Sequence, residues 1–428
     1  MRAMRGIRAA TAVVVLCVLV GGAAAASPRT AKRVRAADAS VVQDYSSPHF
    51  LVHTDLPAKE ARELLHELEM ELKLIAGYWG RPPSGLLECY VASDFSTWPR
   101  EVVSQMEPDG VAKIREGAGV CVGRVMSSGN RFLAKCRVYA VARDSQGGQV
   151  PLHEAVHGYC QQTFGRTGPR WYAEGMAELG HYWINNKKGV NAPDVVIRYL
   201  REAKRRRIED LIVTNKTTGG TWQDYAWWWF LCHLLENNPN YTKDFRLLGI
   251  ELLNGKNTGF EQVFGPRIEE LTFEYELFLK HLQPGYRVDL CAWDWNRKFF
   301  GLTSSSRTVS AVVQSNRGWQ PSGAIVAADA QYAYSAAGTW RIHNSKENIG
   351  ANGTADGAGR LVGAVMKGHK LGEEFELGES GNFTATSDGN LYLRCRVAWN
   401  EIADNSGRVT VKLRLKSSDA TPKPAKEP

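Results

Sequence analysis

Residues 151–157 have the sequence PLHEAVH, in which two histidines stand four positions apart. The apolar pattern around them predicts a helix over residues 150–163. In an α-helix, positions i and i+4 lie about 40° apart, so His153 and His157 project from one face, with Glu154 about 100° round. Two imidazoles on one face can bind the same Zn²⁺ at roughly 2.0 to 2.1 Å. The stretch therefore predicts a metal-binding helix.

A second helix follows after the break FGRTGP at residues 164–169, with the sequence RWYAEGMAEL at 170–179. It offers Glu174 as a third ligand. A catalytic zinc takes three protein ligands and keeps one position open for water, which leaves Glu154 as the general base. Glu178, one turn beyond Glu174, is an alternative ligand, but we interpret it as an acceptor that orients a histidine N–H.

The pairing of HEAVH with WYAEGMAEL resembles the gluzincin metallopeptidases, in which HExxH is followed by a W-x-x-E-G-x-A helix. The resemblance covers residues 45–283 and implies an α+β, zincin-like domain. Carried over by position, it implies that His153, His157 and Glu174 are zinc ligands and that Glu154 is the general base. Sixteen residues separate His157 from Glu174, fewer than in the aminopeptidase N-like branch. An amine-recognition motif of the Gly-x-Met-Glu-Asn type is also absent from the sequence, so exopeptidase specificity is not transferred.

The expected chemistry is peptide-bond hydrolysis, in which Glu154 assists attack of a zinc-bound water on the scissile carbonyl. The developing oxyanion needs a further hydrogen-bond donor. Tyr225, near the start of the aromatic stretch TWQDYAWWWFLCHLL at 221–235, resembles the tyrosine that follows the zinc helices in this clan. Placement of Tyr225 in the core of an aromatic helix is the alternative. We expect a peptide or protein substrate.

The N-terminal segment is predicted to be a secretory signal peptide, residues 1–26. Three arginines precede a short apolar stretch, and a run of alanines follows it. An uncleaved membrane anchor is the alternative, but the stretch is shorter than the ~20 residues that a span needs. We therefore expect a secreted or periplasmic protein with no stable membrane span after cleavage.

The basic charge of the chain is concentrated at this end. The formal charge is +8, and residues 1–36 hold seven Lys or Arg and no acid, which leaves +1 for the remainder. A nucleic-acid-binding surface needs a basic excess on the folded part, so no nucleic-acid partner is expected.

Composition divides the rest of the chain. Residues 27–44 are polar and Ala-rich and are expected to form a flexible leader, whereas 45–283 mix strand and helix patterns. Residues 284–416 are rich in Gly, Ser, Thr and Val with short alternating runs, which predicts an all-β sandwich. The Pro-containing tail, 417–428, is expected to be disordered.

The β part is similar to the small calcium-dependent galactose-binding lectins of bacteria, on the segments GTW at 338–340, LVGAV at 361–365, FELG at 375–378, NLYLR at 390–394 and DNSG at 404–407. The resemblance implies a Ca²⁺ site formed by Asp404 and Asn405, with Asn400 where an Asp is usual. It also implies glycans as partners, with Trp399 stacking on a sugar or on its neighbours. A purely structural sandwich, in which these residues close a turn, is the alternative.

The predicted protein is thus an exported zinc metallopeptidase with a carbohydrate-binding-like module. The competing class is a non-catalytic secreted glycan-binding protein with a vestigial zinc site. The mature chain keeps seven cysteines. Either one or two disulfides, with Cys121 and Cys136 as the closest pair in sequence, or buried free thiols are compatible with that odd number.

Overall fold

The computed structural model describes residues 42–128, 131–144, 149–185, 187–213, 220–342 and 347–416. The predicted signal peptide, nearly all of the predicted leader and the predicted tail lie outside the described residues. The chain forms two compact units. The first comprises the described residues up to Lys187, Asn191–Glu236 and Tyr241–Pro266, and the second comprises Lys188–Val190, Asn237–Asn240 and the described residues from Arg267 onward.

The first unit contains a five-stranded mixed sheet. Its strands are β1 (Gln43–Ser46), β2 (Phe50–Thr54), β3 (Leu87–Ala92), β4 (Gly119–Ser128) and β5 (Arg131–Val141). They stand in the order β1-β2-β3-β5-β4. The pairs β2–β3 and β3–β5 are parallel, and β1 and β4 pair antiparallel at the two edges. The sequence patterns at 49–53, 87–92 and 137–142 predict strands; β2 and β3 confirm the first two, and the third overlaps the longer strand β5.

Helices connect and cover these strands. The spacing of leucines at 58–78 predicts a helix there, and both this helix and the one predicted at 150–163 are confirmed. The first of them buries one leucine face, as the spacing predicts. The helices assigned to this part of the chain are α1 (Ala58–Trp79), α2 (Arg100–Val103), α3 (Pro108–Arg115), α4 (Val150–Phe164), α5 (Arg170–His181), α6 (Asp194–Glu202), α7 (Ile208–Leu211), α8 (Trp222–Asn237), α9 (Thr242–Leu253) and α10 (Phe260–Phe264).

Helix α4 is the central helix of this unit. Every residue from Val150 to Gln162 is buried, because α4 packs on β4 and β5 and also contacts α1 and α5. Pro151 lies in its first turn, where the missing N–H has no helical partner to lose. Gly165 ends the helix with φ 77°, a left-handed conformation that favours glycine. The break between α4 and α5 lets α5 fold back against α4.

The second unit contains a six-stranded and a four-stranded sheet. The inner side chains of both sheets form one apolar core, as in a β-sandwich. In the strand Ser406–Leu415, Val409, Val411 and Leu413 alternate into this core, in agreement with the alternation seen in the sequence. The strands are β6 (Phe300–Gly301), β7 (Thr308–Gln314), β8 (Gln320–Val326), β9 (Gln331–Arg341), β10 (Leu361–Lys367), β11 (Lys370–Leu371), β12 (Phe375–Glu376), β13 (Ser380–Thr384), β14 (Gly389–Cys395) and β15 (Ser406–Leu415).

The second unit is not all-β, because it includes α11 (Ile268–Lys280) and α12 (Val288–Cys291). Phe273 of α11 and Trp293 pack against Tyr392 on the outer face of the six-stranded sheet. Composition predicts instead that 268–280 belong to the first domain, 45–283. Burial of the second face of the sheet explains why this helix groups with the strands.

All seven cysteines of the described residues are free and buried. Cys121 and Cys136 lie on the neighbouring strands β4 and β5, yet they are two positions out of register, since Cys121 pairs with Val138. The free-thiol alternative therefore describes this structure.

Candidate metal centre

Three donor atoms from α4 and α5 converge in the first unit. His157 Nε2 lies 3.2 Å from His153 Nε2 and 3.2 Å from Glu174 Oε2. His153 Nε2 lies 3.4 Å from the same Glu174 oxygen. All three side chains are at most 3% exposed. The structure thus brings together the three residues that the sequence predicts as ligands, in a cluster that could hold a metal ion.

The size of this triangle fits one small cation. Ligand atoms about 2.05 Å from a tetrahedral ion lie about 3.3 Å from one another. The three observed distances, 3.2 to 3.4 Å, have this length. Glu154 Oε2, on the same helix, is buried and has no hydrogen-bond partner among the described residues. A buried polar atom in that state is expected where a water or an ion completes the site.

The electrostatics of the two glutamates differ. Burial acts to raise the pKa of Glu174, but the imidazoles of His157 and His153 outweigh it and lower that pKa to about 2. Burial raises the pKa of Glu154 to about 7, against the lowering effect of the same two histidines. Glu174 therefore has the properties of an anionic ligand, whereas Glu154 is suited to exchange a proton near neutrality.

Glu154 faces the edge strand β4, while the histidines face α5. A Cβ added to Gly119 of β4 would lie 2.8 Å from Glu154 Cγ and 2.6 Å from Val150 Cγ1. The absence of a side chain at Gly119 is therefore what lets this end of α4 approach the strand. This placement separates Glu154 from the two histidines, as the 100° step along the helix predicts.

Glu178 does not join the donor triangle. Its Oε1 lies 3.2 Å from His153 Nδ1, the ring nitrogen that points away from the triangle. The angle at Nδ1 is outside that of a regular hydrogen bond to this oxygen. Its Oε2 lies 3.3 Å from His181 Nδ1. Burial raises the pKa of Glu178, but His181 and His153 outweigh it and hold that pKa far below its usual range. Glu178 thus lies where the sequence predicts an acceptor that orients a histidine ring.

Tyr225 also reaches the centre. It lies on α8, is 2% exposed, and its ring centroid is 6.2 Å from that of His153. Tyr225 is therefore buried in an aromatic helix, as the core alternative describes, and it lies beside a predicted ligand. Its role as an oxyanion donor stays a prediction.

Two further residues lie near the centre: Glu71, for which the sequence predicts no role, and His181, a weaker candidate that the sequence favours as a packed core histidine. Glu71 of α1 is 2% exposed, and neither carboxylate oxygen has a hydrogen-bond partner among the described residues. Burial raises its pKa far above the usual value, against the lowering effect of His153. Nothing in the leucine-rich pattern of α1 marks Glu71. His181 stands three positions after Glu178 on the same helix, a spacing that brings the two side chains together on one face.

The residues predicted to bind calcium lie in the second unit, between β14 and β15. Asn405 is buried, and its Nδ2 donates a hydrogen bond to the Ser315 carbonyl at 3.1 Å, so it fixes this turn. Asp404 and Asn400 are exposed. A calcium site at these residues stays a prediction.

Trp399 stacks on its neighbours. The His281 ring lies 4.3 Å from the Trp399 ring, and the Arg394 guanidinium lies 4.2 Å from its centroid. The sequence predicts that Trp399 stacks either on a sugar or on its neighbours, and the structure shows the contacts with neighbouring side chains.

The described residues thus define a two-unit protein, in which a mixed α/β unit has a buried His-His-Glu cluster that could hold a metal ion and a second unit has a β-sandwich. No protein-family model matches the chain, and no curated protein matches it. Among solved structures, the chain is similar to one described as "EclA N-terminal domain; PllA-like lectin". The identity is 16% and the TM-score 0.21, over 25% of this chain and 96% of that chain. In the part of the chain that is described, no helix has the length and apolar character that crossing a membrane requires.

Proposed function

We propose that this chain is an exported zinc-dependent metallopeptidase that hydrolyses peptide bonds at the centre formed by His153, His157 and Glu174. The observation that supports this most directly is the 3.2 to 3.4 Å donor triangle. Two imidazoles and a carboxylate are donors that zinc accepts, and three protein ligands leave one position for water or substrate.

Zinc, when bound, polarises the scissile carbonyl and makes a water acidic enough to lose a proton near neutral pH. Glu154 takes that proton as the water oxygen forms its bond to the carbonyl carbon. The same carboxyl then gives the proton to the leaving nitrogen when the C–N bond breaks, so Glu154 ends the cycle unchanged. Its burial and its place one residue after His153 suit it to this work.

Tyr225 is the residue placed to stabilise the negative charge that develops on the carbonyl oxygen. Its phenol can donate a hydrogen bond to that oxygen, and its ring neighbours His153. The surrounding low-dielectric interior strengthens such a bond compared with one in water. Two elements, α4 and α8, would thus supply the proton carrier and the oxyanion donor.

The test is metal content and peptide hydrolysis of the purified full chain. We expect about one zinc per chain, lost in His153→Ala and His157→Ala. Glu154→Gln should keep the zinc but lose about 10²- to 10⁴-fold in kcat, the usual contribution of a general acid–base. Glu60→Gln, an exposed carboxylate in the first turn of α1, is the matched control and should behave as the parent.

Two outcomes would refute the proposal. A Glu154→Gln variant as active as the parent would remove the mechanism. A parent chain that binds no zinc after reconstitution would favour the non-catalytic glycan-binding alternative. Export is tested separately, because N-terminal sequencing of protein collected outside the cytoplasm should then begin at about Ser27.

A further inference from the structure

A row of polar side chains extends from the metal centre toward the surface of the first unit. Glu178 contacts the His153 ring through Oε1 at 3.2 Å and the His181 ring through Oε2 at 3.3 Å. On the other side of that ring, His181 Nε2 lies 3.5 Å from Asp144 Oδ2. The side chains of Glu178 and His181 are 2% and 4% exposed, and that of Asp144 is 27% exposed.

We propose that His181 and Asp144 are positioning residues that hold Glu178 in the orientation in which it fixes the His153 ring for metal binding. This inference rests on the proposed function. A metal-bound histidine needs one ring nitrogen free of hydrogen, and a carboxylate at the other nitrogen selects that tautomer and fixes the ring plane. His181 and Asp144 act on the metal only through Glu178.

The need for His181 follows from the chemistry of Glu178. A glutamate side chain has three rotatable bonds, and a buried carboxylate with one oxygen unpaired is costly. The His153 ring can satisfy only one oxygen. His181, one helical turn further along α5, contacts the other oxygen, and the Tyr182 hydroxyl also hydrogen-bonds the Glu178 carboxylate. His181 therefore shares in removing the rotational freedom that Glu178 would otherwise keep. Asp144, which follows β5, in turn contacts the far nitrogen of His181.

A second metal at the same atoms is the competing interpretation. His153, Glu178 and His181 also form a cluster within metal-ligand reach. However, that ion would use His153 Nδ1 while the first ion uses Nε2, so the ring would have to bridge two cations as an imidazolate. An orienting carboxylate explains the same contacts with neutral imidazole at His153.

The experiment measures zinc affinity by competition with a chromophoric chelator, on metal-free full-length protein. His181→Ala should weaken zinc binding about 10- to 100-fold, the usual effect of losing such a partner. His181→Asn should lie within about threefold of the parent, because the Asn amide nitrogen can replace Nδ1 as the donor to Glu178. His66→Ala, at an exposed position of α1, is the control.

A purely structural role would affect the fold rather than the metal. The visible spectrum of the cobalt-substituted protein reports ligand geometry directly, so His181→Ala should change its band positions and His181→Asn should restore them. Asp144→Ala removes a partly exposed side chain and should fold; it should weaken zinc binding severalfold. These variants keep the test decisive even if His181→Ala does not fold.

The outcomes separate the two proposals. Parent-like zinc affinity and cobalt spectra in both His181→Ala and Asp144→Ala would overturn the positioning role, while the proposed function would stand. Two metal ions per parent chain, with one lost in His181→Ala, would also overturn it in favour of a second site. A parent that binds no zinc would overturn the proposed function as well.

Discussion

The glycine that follows the third predicted ligand offers a direct test of how the centre is built. Gly175 lies where α5 meets α8, and a Cβ added there would lie 2.8 Å from the Trp228 carbonyl oxygen and would also meet Cys232 Sγ. Ordinary contact starts at about 3.4 Å, so Gly175→Ala requires α5 and α8 to separate locally by about 0.6 Å. The Cys232 side chain can rotate away, but the backbone oxygen cannot.

Two effects set the magnitude. Overpacking of a methyl group costs about 1–3 kcal/mol, and the better helix propensity of alanine returns about 1 kcal/mol. We therefore expect Gly175→Ala to lower the free energy of unfolding by up to about 2 kcal/mol. A shift of about 0.6 Å also exceeds the ~0.2 Å tolerance of metal–ligand distances, so zinc affinity should fall at least about tenfold.

Gly77→Ala is the matched control. Gly77 is also a helical glycine, in α1, but a Cβ there would meet nothing within 4 Å. Alanine should therefore raise the free energy of unfolding by up to about 1 kcal/mol and leave zinc affinity unchanged. Urea unfolding and chelator competition measure the two quantities. Equal stability and equal zinc affinity in the two variants would refute the reasoning from the α5–α8 contact.

Three further predictions use other parts of the first unit. Burial raises the pKa of Glu236 from 4.5 to about 7, so ionising this carboxyl lowers the stability of the fold as pH rises through this range. Glu236→Gln should therefore raise the free energy of unfolding by about 2–3 kcal/mol at pH 8 and by almost nothing at pH 4, measured by urea unfolding. A stability difference between variant and parent that does not change with pH would contradict this prediction. Tyr225→Phe should lower kcat about 10²- to 10³-fold with zinc content unchanged, whereas an unchanged kcat would leave Tyr225 as core. A chelator should lower the melting temperature, and excess zinc should restore it. Zinc at a thousandfold excess over its Kd should stabilise the folded chain by roughly 4 kcal/mol. A melting temperature that responds to neither chelator nor zinc would argue against a metal centre.

Local structure was predictable where one rule dominated. The i, i+4 spacing of His153 and His157 and the strand β3 follow from periodicity alone, and the structure confirms both. The convergence of Glu174 on that pair was predictable too, because a short break between two helices brings their adjacent faces together. The residues of the second helix favour Glu174 over Glu178, the resemblance to a peptidase family implies the same choice, and the donor triangle agrees with it.

Contacts between distant segments were not predictable from local patterns. Glu71 stands in a leucine-rich stripe that predicts only core packing, yet its carboxylate lies against Gly180 on α5. The helix α11 has the pattern of its predecessors, so composition placed it with them, although its aromatic face covers the six-stranded sheet. Glu71 and Gly180 are 109 residues apart in the chain, and Phe273 and Tyr392, which share one apolar cluster, are 119 residues apart.

The same distinction explains which parts of the centre the sequence could locate. The ligands come from α4 and α5, which are adjacent in sequence, so helical spacing constrains them. Gly119 and Tyr225, which approach this centre from β4 and α8, are placed by sheet order and by helix packing across the unit. The sequence therefore locates a pair of helices whose side chains could hold a metal ion, while the surroundings that would make them catalytic depend on tertiary packing. For this reason Gly175, at the α5–α8 contact, tests the centre as a whole more sharply than removal of any one ligand.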